Sequence, residues 1–303
     1  MVKKNDNFLT GYVGIAGRPN VGKSSLMNRI IGEPVSIVTR KKQTTRSPVL
    51  GILSSQDYQI AFIDNPGIDF KNKLLLNKRL KKIAFSNVIY TSANIVVLEA
   101  KTLFSDDLKI LSNMPEDVPL IIALNKIDKI KSVSDKEAMY KIVPELEKFK
   151  PVNILPISVK KSYQLELLVK IIKTYLPVGE PLFENTLITD QNLYFRISEI
   201  IRKNIINCVG DELHYNIAVE VTKLQKGYAR SSCTIIEATI FTSKLSHKPM
   251  IIGEGGRKLK AIRLRSTKEL KIILGTNIHL SLWVKLMTCW NKNPSFLNHM
   301  GIT

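Results

Sequence analysis

The chain contains little that could build a disulfide framework or a thiol-based metal site. Its 303 residues include three cysteines, Cys208, Cys233 and Cys289, and no two of them form a Cys-x-x-Cys pair. This excludes a disulfide scaffold, a zinc ribbon and a thioredoxin-type site, and it indicates reduced thiols in a reducing compartment. Apolar runs are also short. None approaches the roughly 18–20 residues of a transmembrane helix, and the first residues lack the pattern of a signal peptide.

Acidic residues are scarce relative to basic ones. The 45 lysines and arginines exceed the 26 aspartates and glutamates by 19, and the excess is +11 in residues 1–180 and +8 in residues 181–303. A surplus of this size favours a polyanionic partner, either nucleic acid or an anionic membrane surface. A lysine-biased composition without a binding role is the alternative.

The first part of the chain alternates apolar runs with polar stretches of helical length. This order predicts an α/β domain with a mostly parallel sheet and helices on both faces. The strands are expected at residues 12–17, 59–64, 93–100, 119–125 and 153–158. Two prolines and a glycine between 176 and 181 stop the pattern. We therefore expect a first domain over 1–178, a linker over 179–190 and a second domain over 191–303.

The second part has a different order, which predicts an α+β domain. Helical spacing of apolar residues runs from Leu193 to Cys208. Alternating strands are expected at 215–221, 234–240 and 278–284, with Trp283 in the core. A glycine-rich turn and a basic helix of about 18 residues separate the last two strands.

The segment after the first strand fits the phosphate-loop pattern G-x-x-x-x-G-K-[ST]. The glycines let backbone N–H groups surround phosphate oxygens, and the following helix adds its positive N-terminal end. Lys23 is expected to reach the β- and γ-phosphates, and Ser24 to ligate Mg²⁺. The predicted nucleotide-binding residues here are Gly17, Arg18, Pro19, Asn20, Val21, Gly22, Lys23, Ser24 and Ser25.

Asp64-Asn65-Pro66-Gly67 ends another buried strand. An aspartate at this end of a strand beside a phosphate loop is placed to hold Mg²⁺, and Gly67 lets its N–H approach a γ-phosphate. A threonine from residues 36–50 can complete the metal shell when GTP is present, and we expect Thr45 first and Thr44 second. The candidate catalytic residues are Lys23, Thr45, Asp64 and Gly67.

Asn125-Lys126-Ile127-Asp128 follows the fourth predicted strand. The Asp128 carboxylate can accept hydrogen bonds from guanine N1–H and the 2-amino group, which adenine does not offer, so the tetrapeptide favours GTP over ATP. The stem of Lys126 can cover the base. The loop after the fifth strand is expected to complete the base pocket with Ser158, Val159 and Lys160.

Together these four signals identify a GTP-binding domain of the Ras-like superfamily, and the strings GRPNVGKS, KKQTTR and DNPG resemble the TrmE–Era–Der group. In that group a hydrophobic residue commonly replaces the water-orienting glutamine, and Ile68 stands at this position. The resemblance also implies a potassium ion held partly by the phosphate-loop asparagine, here Asn20.

A G-x-x-G turn at residues 253–256 precedes the basic helix, as in type II KH domains, which clamp about four nucleotides of single-stranded RNA. Glu254 in the turn would repel a phosphate by about 1 kcal/mol in a wet site. Seven basic residues over 257–271 can offset that repulsion. The predicted RNA-binding residues are Ile252, Gly253, Glu254, Gly255, Gly256, Arg257, Lys258, Lys260 and Arg263.

A phosphate loop at the start, a KH pattern at the end and a length near 300 resemble the Era family of bacterial ribosome-assembly GTPases over nearly the whole chain. The resemblance implies GTP-dependent binding of the 3′ end of 16S rRNA in the small (30S) ribosomal subunit, and release after hydrolysis. It also implies a cytoplasmic protein with loose contact to the anionic inner face of the cell membrane, and no DNA partner.

Two alternatives stay open. One is a GTP-gated RNA-binding module with negligible intrinsic turnover, and the other is a GTPase whose basic face reads membrane lipid. The basic run Lys78–Lys82 is expected to be a solvated helix face, with ribosome or membrane contact as its alternative role.

Overall fold

The structure, a computed structural model, describes residues 7–39, 41, 44–70, 75–210, 213, 216–226 and 233–299. The chain forms two compact units, and the main division falls between Asp190 and Gln191.

The first unit is built on a six-stranded sheet in the order β2-β3-β1-β4-β5-β6. Every neighbouring pair is parallel except β2 and β3. The α/β prediction is therefore confirmed. The strands are β1 (Leu9–Ala16), β2 (Val49–Ser54), β3 (Tyr58–Asp64), β4 (Ala93–Glu99), β5 (Leu120–Asn125) and β6 (Asn153–Pro156).

The strand β2 is not among the five strands that the sequence predicts. It begins at Val49, inside the range 36–50 that is expected to supply a metal-binding threonine, and it pairs antiparallel with β3. A short strand at the edge of a sheet is specified by its neighbour more than by its own composition, so it gives a weak sequence signal.

Five helices cover the two faces of this sheet. They are α1 (Lys23–Ile31), α2 (Leu75–Ser86), α3 (Ser105–Leu111), α4 (Val133–Glu147) and α5 (Leu165–Lys173). Buried residues of α2, α3 and α4 pack with alternate residues of β4 and β5 in one core cluster. Because side chains alternate along a strand, the other buried residues of β4 and β5 face the opposite side. The helix α1 contacts β2 and β3.

The segment expected as a linker, 179–190, packs along the first unit. The N–H of Ile52 donates to the carbonyl of Ile188 at 2.9 Å. The Gln59 side chain donates to the Phe183 carbonyl and accepts from the Phe183 N–H, both at 2.9 Å. These bonds hold the segment to β2 and β3, so the chain leaves the first unit after residue 190.

The second unit has the element order of a type II KH domain. A three-stranded sheet has the order β7-β8-β9, with β7 and β8 antiparallel and β8 and β9 parallel. Its core is formed by apolar residues of this sheet with α6 and α8. The elements are α6 (Leu193–Cys208), β7 (Ile217–Gln225), β8 (Cys233–Thr242), α7 (His247–Ile252), α8 (Arg257–Leu274), β9 (Asn277–Leu286) and α9 (Pro294–His299).

The expectation that Trp283 lies in the core is wrong. Its side chain is 45% exposed, whereas Leu280 on the same strand is buried. In β9 every second residue, including Leu280, contacts the core, and Trp283 lies on the opposite face of the strand. Trp290, by contrast, is buried, and its Nε1–H donates to the Asn216 carbonyl at 3.1 Å.

In the described part of the chain, no helix is both long enough and apolar enough to cross a membrane.

Candidate functional site

The phosphate loop lies between the C-terminal end of β1 and the N-terminus of α1. Three of its residues have positive φ angles: Gly17 at 145°, Asn20 at 65° and Gly22 at 108°. A Cβ on Gly22 would lie 2.4 Å from Nδ2 of Asn125, so this position has no room for a side chain. The loop therefore takes the curled backbone, with N–H groups available to a phosphate, that its glycines predicted.

Lys23 is buried at the centre of this loop. Its Nζ atom donates to the carbonyls of Gly17 at 3.1 Å and Arg18 at 2.9 Å. Burial lowers the pKa of Lys23 from 10.5 to about 8, although the nearby Asp64 carboxylate raises it. A phosphate bound at the loop would place negative charge beside this desolvated ammonium and so stabilise its charged form.

Three oxygen-bearing side chains meet beside Lys23, although they come from distant parts of the sequence. The Ser24 Oγ atom lies 2.5 Å from Asp64 Oδ2 and 3.0 Å from Thr45 Oγ1. Asp64 is buried, and burial raises its pKa. Its Oδ1 atom is also buried and accepts no hydrogen bond from the described residues. Hydroxyl and carboxylate oxygens are the ligands that Mg²⁺ prefers, so this cluster fits that ion.

Gly67 must be a glycine because the chain passes close to the phosphate loop. A Cβ at Gly67 would lie 2.9 Å from the Cα of Pro19. The next residue, Ile68, donates its N–H to the Gly17 carbonyl at 3.2 Å and buries its side chain in the core. This apolar side chain cannot orient a water molecule, as its sequence position already indicated.

Asn125 links the two ends of the nucleotide cleft. Its Nδ2 donates to the Val21 carbonyl at 2.8 Å, while its Oδ1 accepts from the N–H groups of Lys126 at 2.7 Å and Val159 at 3.1 Å. The Lys126 Nζ donates to the Asn20 carbonyl at 2.9 Å and pairs with Glu99. Asn125 therefore joins the phosphate loop to the loop that carries Val159.

A hydrogen bond from Ser158 orients the Asp128 carboxylate and favours its ionised form, which accepts hydrogen bonds. Ser158 Oγ donates to Asp128 Oδ1 at 2.6 Å, and this bond holds the pKa of the carboxyl below its usual value. A cleft of about 580 Å³ joins Asp128 and the phosphate loop. Its lining includes eight of the predicted residues: Asn20, Gly22, Ser25, Asn125, Lys126, Asp128, Val159 and Lys160.

Three predicted residues, Asn65, Arg18 and Pro66, use their side chains for packing or for contacts away from Lys23. The Asn65 side chain accepts a 2.9 Å hydrogen bond from Asn87 and is fully buried. The Arg18 side chain bonds to Asp107 at the start of α3, so its carbonyl, not its guanidinium, faces Lys23. Pro66 is buried between Asn65 and Gly67.

Two polar residues outside the sequence motifs, Ser36 and Asn28, also shape the site. Ser36 donates its hydroxyl to Asp64 Oδ2 at 2.9 Å. Asn28, on α1, donates to the Ser36 carbonyl at 2.7 Å and accepts from its N–H at 2.9 Å. Asn28 follows the phosphate loop by one helical turn, which is a usable signal. Ser36 has no motif around it that could have revealed its role.

The G-x-x-G turn of the second unit joins α7 to α8. Gly253, Gly255 and Gly256 have φ angles of 73°, 57° and 75°. A Cβ on Gly253 would lie 2.9 Å from the Cβ of Lys258, whereas Gly255 and Gly256 border open space. The last two residues of the turn thus leave the backbone accessible to a ligand, which is how KH domains clamp nucleotides.

The basic residues around this turn are exposed, and one of them has an acidic partner. Arg257 pairs with Glu254 at 2.7 Å, with side chains 77% and 89% exposed. Lys260 and Arg263 lie on α8, and Ile252 closes α7. Because Arg257 neutralises the turn carboxylate, part of the repulsion expected from Glu254 is offset locally.

Comparison with known proteins gives matches along the whole chain. The family of 50S ribosome-binding GTPases matches residues 12–126, and the KH domain family matches residues 212–291. GTPase Era of Alkaliphilus oremlandii is 38% identical, with 97% of this chain and 99% of that protein covered. GTPase Era of Clostridioides difficile is 36% identical, with coverage of 97% and 98%.

Two solved structures match both units. A variant of Aquifex aeolicus Era bound to GDP and AlF4⁻ has a TM-score of 0.91 at 34% identity, covering 98% of this chain and all of that one. Era in complex with MgGDPNP and nucleotides 1506–1542 of 16S ribosomal RNA also has a TM-score of 0.91, at 35% identity, covering 98% and 99%. With this similarity along nearly its whole length, the chain belongs to the Era family and is a GTP hydrolase.

Proposed function

We propose that this GTPase binds the 3′ end of 16S ribosomal RNA through its KH unit in the GTP-bound state. It would assist assembly of the small ribosomal subunit and leave after hydrolysis. The observation that carries the proposal is the accessible G-x-x-G backbone at Gly255 and Gly256 in the same chain as a complete phosphate loop. The Era relative solved with nucleotides 1506–1542 of 16S ribosomal RNA supports the same RNA partner.

Hydrolysis would proceed by in-line attack of water on the γ-phosphate. The Lys23 ammonium and the N–H groups of the phosphate loop would stabilise the charge that develops on the phosphate oxygens. Ser24, Thr45 and Asp64 would hold Mg²⁺, as the related structure with MgGDPNP supports, and the ion would supply further charge stabilisation. The Gly67 N–H would approach the γ-phosphate.

A potassium ion at Asn20 is part of the proposal. Asn20 lies exposed at the rim of the cleft, where its backbone carbonyl already accepts from Lys126. GTP turnover measured at equal concentrations of KCl and NaCl tests this role. If potassium takes part, hydrolysis should be faster in KCl. Equal rates would remove potassium from the mechanism.

Binding of a short single-stranded RNA that matches the 3′ end of small-subunit ribosomal RNA is the direct test. Fluorescence anisotropy would be measured with a non-hydrolysable GTP analogue and with GDP, at several salt concentrations. Tighter binding with the GTP analogue is expected. A weak interaction that is indifferent to nucleotide would contradict the proposed coupling, whatever the GTPase rate.

Two further measurements separate the alternatives. A single-turnover rate well below about 10⁻⁴ s⁻¹, slower than unaided Ras-type hydrolysis, would indicate a nucleotide-gated module rather than a working enzyme. Peripheral contact with an anionic membrane is a secondary part of the proposal. Co-sedimentation with vesicles that contain anionic lipid tests it, with RNA added as competitor.

A further inference from the structure

The helix α2 carries a concentration of positive charge that the GTP site does not use. Its sequence, LLNKRLKKIAFS, contains Lys78, Arg79, Lys81 and Lys82 and no acidic residue. Residues three and four positions apart are neighbours on a helix surface, so these like charges repel one another and destabilise the helix. An anionic partner would relieve that repulsion.

The apolar side of α2 is already buried within the first unit. Leu76, Leu80 and Ala84 are each at most 3% exposed. A helix that binds in a lipid interface needs a free apolar face to insert between the acyl chains, and α2 has none to offer. Its exposed side presents Lys78 and Lys82 to solvent. The partner class that fits is therefore a hydrophilic polyanion.

Positive charge continues from α2 onto α3 across an aromatic ring. Lys81 Nζ lies 5.1 Å and Lys109 Nζ 5.5 Å from the centroid of the Phe70 ring. Asp106, 3.9 Å from Lys109, is an acidic neighbour of this cluster. Several cations on one surface suit a nucleic acid, whose phosphate groups bind lysine side chains whatever the base sequence.

The basic helix is joined to the segment that passes the phosphate loop. Asn77, buried in the first turns of α2, donates a 2.6 Å hydrogen bond to the carbonyl of Asp69. Asp69 follows Gly67 by two residues, so α2 is tied to the chain that passes the phosphate loop. A ligand on α2 would contact an element joined to the GTP site.

We infer that the α2 patch, defined by Lys78, Lys81, Lys82 and Lys109, binds the phosphate backbone of structured RNA. This contact is separate from the single-stranded RNA site proposed for the KH unit. It places an RNA-binding surface on the GTPase unit itself, and it accounts for part of the +11 charge of residues 1–180.

The test uses the full-length chain with Lys78→Gln and Lys82→Gln combined. The matched control combines Lys136→Gln and Lys141→Gln, which remove two exposed lysines from α4, a helix that also carries acidic residues. Each protein is titrated against an RNA hairpin that lacks the 16S 3′ sequence and against the short single-stranded 3′-end RNA, at several salt concentrations.

The α2 variant is expected to bind the hairpin at least tenfold more weakly. The slope of log affinity against log salt should fall by about 0.9 for each phosphate group that the variant no longer neutralises. Its affinity for the single-stranded RNA and its GTP turnover should match wild type, and the α4 control should bind both RNAs normally.

Three outcomes would overturn the inference. Hairpin affinity that is unchanged in the α2 variant would show that the patch does not contact RNA. An equal loss in the α4 control would show a general charge effect. Unchanged hairpin binding with loss of binding to anionic vesicles would assign the patch to lipid. Failure of wild type to bind the single-stranded RNA would instead contradict the proposed KH function and leave the hairpin comparison intact.

Discussion

The Nε atom of Arg18 donates a 2.7 Å hydrogen bond to Oδ1 of Asp107, a carboxylate with no exposed side-chain surface. The Arg18 guanidinium also lies 3.9 Å above the centroid of the Phe104 ring. Asp107 accepts a further hydrogen bond of 3.0 Å from the Phe104 N–H at the start of α3. A phosphate-loop side chain is thus anchored to α3, while its carbonyl supports Lys23.

Replacing Arg18 with alanine should destabilise the protein, and the loss should grow with pH. Burial already raises the pKa of Asp107, and Arg18 opposes that shift. Without Arg18 the native carboxyl binds its proton more tightly than the unfolded chain does, so stability falls as pH rises through the native pKa. Breaking a buried pair costs about 3–5 kcal/mol. Thermal unfolding of Arg18→Ala between pH 5 and 8 measures this.

The control for this prediction is the double variant Arg18→Ala with Asp107→Asn. It removes the buried charge, so its stability should be less dependent on pH and partly restored. If Arg18→Ala has the same pH profile as wild type, the ion pair does not anchor the loop.

Binding of GTP should take up a proton near pH 8. The pKa of Lys23 is about 8 in the free site, and phosphate oxygens beside its ammonium should raise it. At pH 8 the Lys23 side chain is therefore neutral in about half of the free protein molecules, and it becomes charged when GTP binds. Calorimetry in two buffers of different ionisation enthalpy measures the uptake. Enthalpies that do not depend on the buffer would contradict it.

Lys23→Ala should abolish GTP binding, because the variant lacks the ammonium that is expected to bind the β- and γ-phosphates. In the present structure this ammonium donates to the carbonyls of Gly17 and Arg18. Unchanged affinity for GTP in this variant would overturn the assignment of the phosphate loop. Circular dichroism is the control for folding.

Asp128→Asn should reduce discrimination between GTP and ATP. The amide oxygen of the variant can accept one hydrogen bond from guanine, but the amide N–H₂ group would face the second guanine donor. A charge-assisted hydrogen bond worth about 1.5–3 kcal/mol is therefore lost. Affinity for GTP should fall by roughly 10- to 150-fold. Ser158→Ala removes the hydroxyl that donates to Asp128, and it should give a smaller loss of the same kind. Competition binding with both nucleotides measures each effect.

Glu254→Gln should strengthen binding of single-stranded RNA. The Glu254 carboxylate pairs with Arg257, and such an exposed ion pair contributes little stability. Without the carboxylate, Arg257 can pair with an RNA phosphate instead. Freeing Arg257 should steepen the slope of log affinity against log salt by about 0.7. Anisotropy titrations over a range of salt measure both quantities. An affinity that falls in Glu254→Gln would mean that the carboxylate itself helps to hold the RNA.

Several parts of the fold were predictable because they depend on neighbours in the sequence. Positive φ angles at Gly17 and Gly22 follow from the need to curl the backbone within a few residues. The helix Leu193–Cys208 follows from its own apolar spacing. The edge strand β2 and the exposed position of Trp283 were missed. The strand β2 depends on its pairing with β3, and the exposure of Trp283 depends on which face of the sheet the helices cover.

The sequence by itself determined the chemistry of the nucleotide site: a lysine in a glycine loop, an aspartate at a strand end and an asparagine–lysine–aspartate pocket. The tertiary structure decided how these groups are held. Arg18 and Asp107 are 89 residues apart, and Ser36 and Asp64 are 28 apart. No local periodicity encodes such pairs, because they form when separate strands and helices pack and the buried polar atoms must find partners.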